Sequence, residues 1–180
     1  MTHSNTQPNA EVYFTKVMAG IPRLLNLMDR SMTSSTAGSL DRSYWWYRQS
    51  DFSSAIHQQG MLTLALLHEL PHPENPYYQN PTLMKLIERS LAYSMRLQHS
   101  DGSYDEWYPQ ERGWAGPTAY ILYAQARTCR LLQHPLPPEL LERFRESAHR
   151  ACQHLMHWEE EHHLANHQIL ACLAVVECEF

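Results

Sequence analysis

Every apolar pattern in the chain has a helical period, and no stretch alternates apolar with polar residues as a half-buried strand does. Two kinds of predicted helix alternate. Residues 10–30 (through Val12, Tyr13, Val17, Ile21, Leu24, Leu25 and Met28), 80–99 (Leu83, Leu86, Ile87, Leu91, Met95) and 138–158 carry one apolar stripe each. Residues 118–132 and 165–180, and a stretch ending near Leu70 and capped by Asp51 or Ser53, are apolar on nearly every side. A striped helix faces solvent on one side; one apolar all round is buried. Long loops precede the apolar helices. The pattern predicts an all-α fold in which outer and inner helices alternate, an incomplete α/α toroid of about three stacked helical hairpins. Gly20 and Pro22 predict a kink or split in the first helix.

Composition narrows the function classes. With 180 residues the chain suits one domain with a proper core, at 43% hydrophobic and 18% charged. A formal net charge of -5 argues against a nucleic-acid surface. No apolar run reaches membrane-spanning length. Residues 1–9 are polar and read as a frayed terminus, with one helical domain over 10–180. They lack the basic and apolar regions of a signal peptide, which points to a cytoplasmic chain, with the periplasm as the alternative. Cys129, Cys152, Cys172 and Cys178 lack metal spacing and read as reduced core thiols. His149, His154, His157, His162 and His163 read as a solvated polar face rather than a zinc site, since no carboxylate or Cys completes a known spacing. No metal and no cofactor are expected.

The densest chemistry lies in residues 98–118. Ser100-Asp-Gly-Ser103 is a turn; Asp105, Glu106, Glu111 and Arg112 follow among Tyr104, Trp107, Tyr108 and Trp114, and Pro117 opens the next helix. Aromatic faces beside carboxylates and arginine suit sugars, whose rings stack and whose hydroxyls take charged groups. The competing reading is a loop held by its own aromatics. A second cluster, Tyr44-Trp-Trp-Tyr-Arg48, forms an opposite wall or packs in the core. A short echo, His57-Gln58 and His167-Gln168, opens two of the apolar helices.

At residues 101–112 and at Ala165-Asn-His-Gln168 the sequence resembles the heparinase II/III-like polysaccharide lyases, over roughly residues 40 to 180. The resemblance implies an N-terminal α/α toroid followed by a β-sandwich domain, and β-elimination of a uronic-acid polysaccharide. It puts Asn166 and His167 at the positions that neutralise the substrate carboxylate, which lets the adjacent proton leave. Trp107, Tyr108, Glu111 and Arg112 then line the sugar groove, with Arg48 in its opposite wall; His57 and Gln58 echo the later pair, but with Ile56 in place of Asn, and read as structural or outer-subsite residues. The base and acid of such lyases come from regions this chain lacks, so the chain alone is not expected to turn over. The helix apolar through Val176 calls for cover, from a further C-terminal domain or a second copy. Asn166 and His167 also read as a plain helix start. An acidic polysaccharide would depend on Arg42, Arg48 and Arg112, with weak, salt-sensitive affinity. Two other readings compete: a non-catalytic glycan-binding or assembly module, and another α/α toroid enzyme. The Gln98-to-Tyr104 turn resembles terpenoid-cyclase repeats, and Glu106 and Glu111 supply the carboxylates a glycoside hydrolase needs, though from one loop.

Overall fold

The computed structural model describes residues 10–110, 114–157 and 165–179. Among these the chain forms seven α-helices, one 3-10 turn and no strand. They are α1 (Ala10–Leu27), α2 (Arg42–Trp45), the 3-10 turn Ile56–Gln59, α3 (Gly60–Glu69), α4 (Pro81–Arg96), α5 (Ala115–Leu131), α6 (Pro138–His157) and α7 (Ala165–Glu177). The class is all-α, as the period predicts. Asn80 caps α4 as expected, its Oδ1 accepting from the N–H of Thr82 (2.9 Å) and Leu83 (3.1 Å).

Two boundaries differ from expectation. α1 runs unbroken through Pro22. The helix expected to be capped by Asp51 or Ser53 starts later, as the 3-10 turn at Ile56. The N–H groups that would open it earlier are held elsewhere: Ser54 donates to Asp41 Oδ2 (2.9 Å) and Ala55 to the Asp105 carbonyl (2.8 Å).

α5 is the central helix. It packs against α3, α6 and α7, while α4 packs on α3 and touches α6. α1 runs antiparallel to α3: Phe14 near its start stacks on His72 beyond the end of α3 (centroids 3.7 Å apart), and Leu24 near its end lies over Gly60. Thus α3, α5 and α7 pack side by side, α4 and α6 touch each other against them, and α1 lies against α3. α5 and α7 are parallel, since Gly116 meets His167 at their starts and Arg127 and Arg130 meet Glu177 at their ends. The segment leading into α3 begins at that same end, tied to the loop before α5 by the Ala55–Asp105 bond.

One device occurs twice. Gly38-Ser39-Leu40-Asp41 follows α1, and Gly102-Ser103-Tyr104-Asp105 follows α4. Both glycines have φ near +90°, and a Cβ on either would collide with the backbone of a later helix, at Arg89 on α4 and at Arg150 on α6. Leu40 and Tyr104 are buried, and each donates its N–H to a side chain at the head of a following helical segment: Gln58 Oε1 (2.9 Å) and Thr118 Oγ1 (3.1 Å). Each aspartate then pairs with a histidine, Asp41 with His57 (3.1 Å) and Asp105 with His99 (2.8 Å). The shorter echo of His57-Gln58 in His167-Gln168 does not carry into packing. Gln58 and His167 are the buried members, so the two pairs are out of phase by one residue. Of the four cysteines only Cys129 is buried; Cys152 and Cys178 are half-buried and Cys172 is exposed, which limits the core-thiol expectation to Cys129.

Candidate functional site

The site is built on Asp41. Its carboxylate heads α2, where Oδ1 accepts from the Tyr44 N–H (3.2 Å), and its Oδ2 accepts from the Ser54 N–H. His57, on the 3-10 turn, brings Nδ1 to 3.1 Å from Asp41 Oδ1. The pair is asymmetric in exposure: the Asp41 side chain is 3% accessible and that of His57 52%. Burial pushes the Asp41 carboxyl up, but the hydrogen bonds from His57, Ser54 and Tyr44 and the His57 charge outweigh it and hold the group below its ordinary range. The hydrogen bond to Asp41 raises His57, against partial desolvation, and the charges of Asp41 and Glu106 add to the rise.

A carboxylate accepts and does not donate, so Asp41 fixes a proton on Nδ1 and turns Nε2 to the outside. Neutral His57 offers an acceptor there, and protonated His57 a donor. Around it lies a cleft of about 210 Å³ lined by Asp41, Ser43, Ser50, Phe52, Ser54, His57, Glu106 and Trp107.

The loop between α4 and α5 divides into two parts with different roles. Its first part is a plug. Asp101 Oδ1 accepts from the Ser103 N–H and hydroxyl (3.1 and 2.6 Å), and the fully buried Tyr104 meets Ser147 Oγ (3.2 Å) and Gln125 Nε2 (3.3 Å) through its hydroxyl. The second part faces out: Trp107 is 66% and Tyr108 68% exposed. The first segment thus fits the reading of a packed loop, and the second leaves two aromatic rings open to solvent.

Of the expected site residues, the structure brings His57 and Trp107 to one cleft. Gln58 sits beneath it, fully buried, with its amide used inside the fold: Oε1 takes the Leu40 N–H and Nε2 donates to the Ser54 carbonyl (3.2 Å). Arg48 (φ +54°) and Tyr108 are exposed but do not line the cleft. Glu111 and Arg112 lie outside the described residues, as do His162 and His163. Asn166 is exposed in the first turn of α7. His167 is buried between α5 and α7, its ring 6.0 Å from that of Trp114 and 6.3 Å from that of Tyr120. Neither lines the His57 cleft.

The aromatic cluster after Asp41 is neither core nor open wall. Arg42 is bound to the Asn26 carbonyl (2.6 Å) and Oδ1 (2.8 Å), and its guanidinium lies 5.5–5.7 Å from the rings of Trp45, Trp46 and Tyr47. Trp45 Nε1 donates to the Leu27 carbonyl (2.9 Å). Trp46 and Tyr47 remain more than half exposed. Among the described residues no group of three or more His, Cys, Asp or Glu side chains could hold a metal ion, and no helix is long and apolar enough to cross a membrane.

Asp41 is the residue that the sequence motifs did not bring forward. The signal was present in the repeated Gly-Ser-x-Asp, which places Asp41 where Asp105 stands in the better-marked loop. Comparisons of the chain with protein-family models, with curated proteins and with solved structures found no match.

Proposed function

We propose that the chain is the toroid portion of a heparinase II/III-like polysaccharide lyase. In this reading the stacked helices begin an α/α toroid, and the end at which α3, α5 and α7 start binds an acidic, uronic-acid polysaccharide for β-elimination. The observation that carries it is the gathering of chemistry at that one end. The loops ahead of these helices bring Trp107 to His57 and Asp41 on one cleft, and set Trp114 beside His167 at the start of α7. A chain of sugars is an extended ligand that needs stacking faces and hydrogen-bonding groups along a rim rather than one closed pocket.

β-Elimination breaks the C–H bond beside the uronate carboxylate and the C–O bond to the leaving sugar. The first is slow while the carboxylate keeps its charge, so hydrogen bonds to it lower the barrier. Asn166 has an exposed amide suited to that contact, with His167 behind it against Trp114 and Tyr120. Arg42 is already engaged with Asn26, which leaves Arg48 as the described arginine of the initial three to meet polyanions. In this reading the chain binds without turning over, and binding weakens as salt rises.

The test is an NMR titration of the chain with polygalacturonate, alginate and hyaluronan oligosaccharides at low salt, alongside the ultraviolet absorbance of unsaturated product. Shifts around Asn166 and Trp114, weakened in Asn166→Ala and by added salt, are expected without product. The proposal fails if none of the three polymers shifts any resonance.

A further inference from the structure

We propose that Cys152 and Cys178 are a redox pair, which a peroxide converts to a disulfide tying the end of α7 to α6. The inference stands apart from the glycan reading and concerns how α7 is held.

The fold brings together two thiols that are distant in sequence. α6 and α7 both pack on α5, and cavities of about 350 and 360 Å³ lie along the seam between them. Cys152 on α6 and Cys178, one residue beyond α7, both line the first of these. Each is half-buried, so it is held in place and still open to a small reagent. The end of the helix positions Cys178: its N–H donates to the Val175 carbonyl (3.0 Å), and its thiol meets the Ala174 carbonyl (3.2 Å). The same thiol hydrogen bonds to Cys152. Thiols in such contact meet the first demand of a disulfide, side chains that point at one another.

The contact also makes the two sulfurs unequal. The hydrogen bond from Cys178 holds the Cys152 thiol below its ordinary range, against partial burial. That bond, together with burial, pushes Cys178 up. The thiolate is the nucleophile, so Cys152 attacks and Cys178 resolves. With hydrogen peroxide, the Cys152 thiolate takes one oxygen: an S–O bond forms, the O–O bond breaks, and the departing hydroxide gains a proton to become water. The Cys178 sulfur then attacks the sulfenic sulfur. The S–S bond forms, the S–O bond breaks, and the hydroxide leaves as water with the Cys178 proton. In total the two thiols lose two electrons and two protons, and the peroxide is reduced to two waters. The tie falls on a helix with only two buried residues among those described, His167 and Ala174, where a covalent link has most to add.

The experiment treats the unaltered chain with hydrogen peroxide or with a thiol reductant, alkylates it, and maps an unreduced digest by mass spectrometry. The oxidised sample should yield a peptide pair joining Cys152 to Cys178, with Cys129 and Cys172 still alkylated. Hydrogen exchange of the same samples should be slower in α7 by about tenfold or more after oxidation, and unchanged in α5. Cys178→Ser should stop at the Cys152 sulfenic acid, which dimedone traps, and should lose the slowing. Three results overturn the inference: both thiols still alkylated after peroxide, pairing of either one with Cys172 or with a second copy instead, or a Cys152–Cys178 bond that leaves α7 exchange as fast as in the reduced chain. All three are read on the unaltered chain and do not depend on the variant folding.

Discussion

At the scale of single residues, the Asp41–His57 pair links the site to the fold. Asp41 is buried, accepts from two backbone N–H groups and holds the imidazole. His57 titrates above its ordinary value of 6.5, so its contribution to stability is full below that value and is lost as pH rises through the raised one. Asp41 titrates below its ordinary 3.8, so its contribution is present above that value and is lost as pH falls through the lowered one. The pair therefore stabilises the fold most between pH 3.8 and 6.5. Asp41→Asn keeps the shape and removes the charge. Urea unfolding should show a loss of about 1–3 kcal/mol for the charged hydrogen bonds, largest in that window and smaller above it. The His57 share is reduced by solvent, because half of its side chain is exposed. The His57 ring titration should fall in the variant; an unchanged titration would show that Asp41 does not set it. His57 and Trp107, which line one cleft, stood out in the sequence because an aromatic loop and a histidine at a helix start are local signals. Asp41 did not, because its place in the cleft arises from a contact with His57 across a loop.

At the scale of elements, stripes and caps predicted the long helices well, since those signals are local: Asn80-Pro81 opens α4, and Pro138 opens α6. The late start of the helix after Asp51 was not legible, because the bonds that prevent it come from Asp41 and Asp105, distant in sequence. The same holds for the glycine turns. Gly102 needs its positive φ, and it also lies where a Cβ would strike the Arg150 backbone on α6. Gly102→Ala should cost roughly 2–3 kcal/mol, from strain at positive φ together with displacement of the plug from α6. Gly20→Ala is the control, since nothing lies within 4 Å of a Cβ there and the residue is in mid-helix; it should be neutral or slightly stabilising. Equal thermal shifts in the two variants would refute the close approach of the loop to α6.

At the scale of the whole molecule, the all-α class was legible from hydrophobic patterning alone, but the unequal burial of the helices that are apolar on nearly every side was not. α5 has twelve buried residues, whereas α7, of nearly equal apolarity to the eye, has two, His167 and Ala174. Pattern reports what a helix could bury, and neighbours decide what it does bury. α5 is covered by α3, α6 and α7, while Ile169, Leu173 and Val176 of α7 stay about half or more exposed. The ends of α7 are tied by the close fit of His167 over Gly116 and by the Arg127 and Arg130 pairs with Glu177, and partly exposed ion pairs are worth about 1 kcal/mol at most. Stability should therefore be graded across these helices. Native-state hydrogen exchange should find the amides in the middle of α5 slowest, near the limit set by global unfolding, and those of α7 faster by roughly 100-fold or more through local opening. Glu177→Gln should speed α7 exchange by no more than about fivefold and leave α5 unchanged. Protection of α7 equal to that of α5 would mean that its exposed apolar face is covered in solution, and size-exclusion chromatography of the same sample would show whether a second copy supplies the cover.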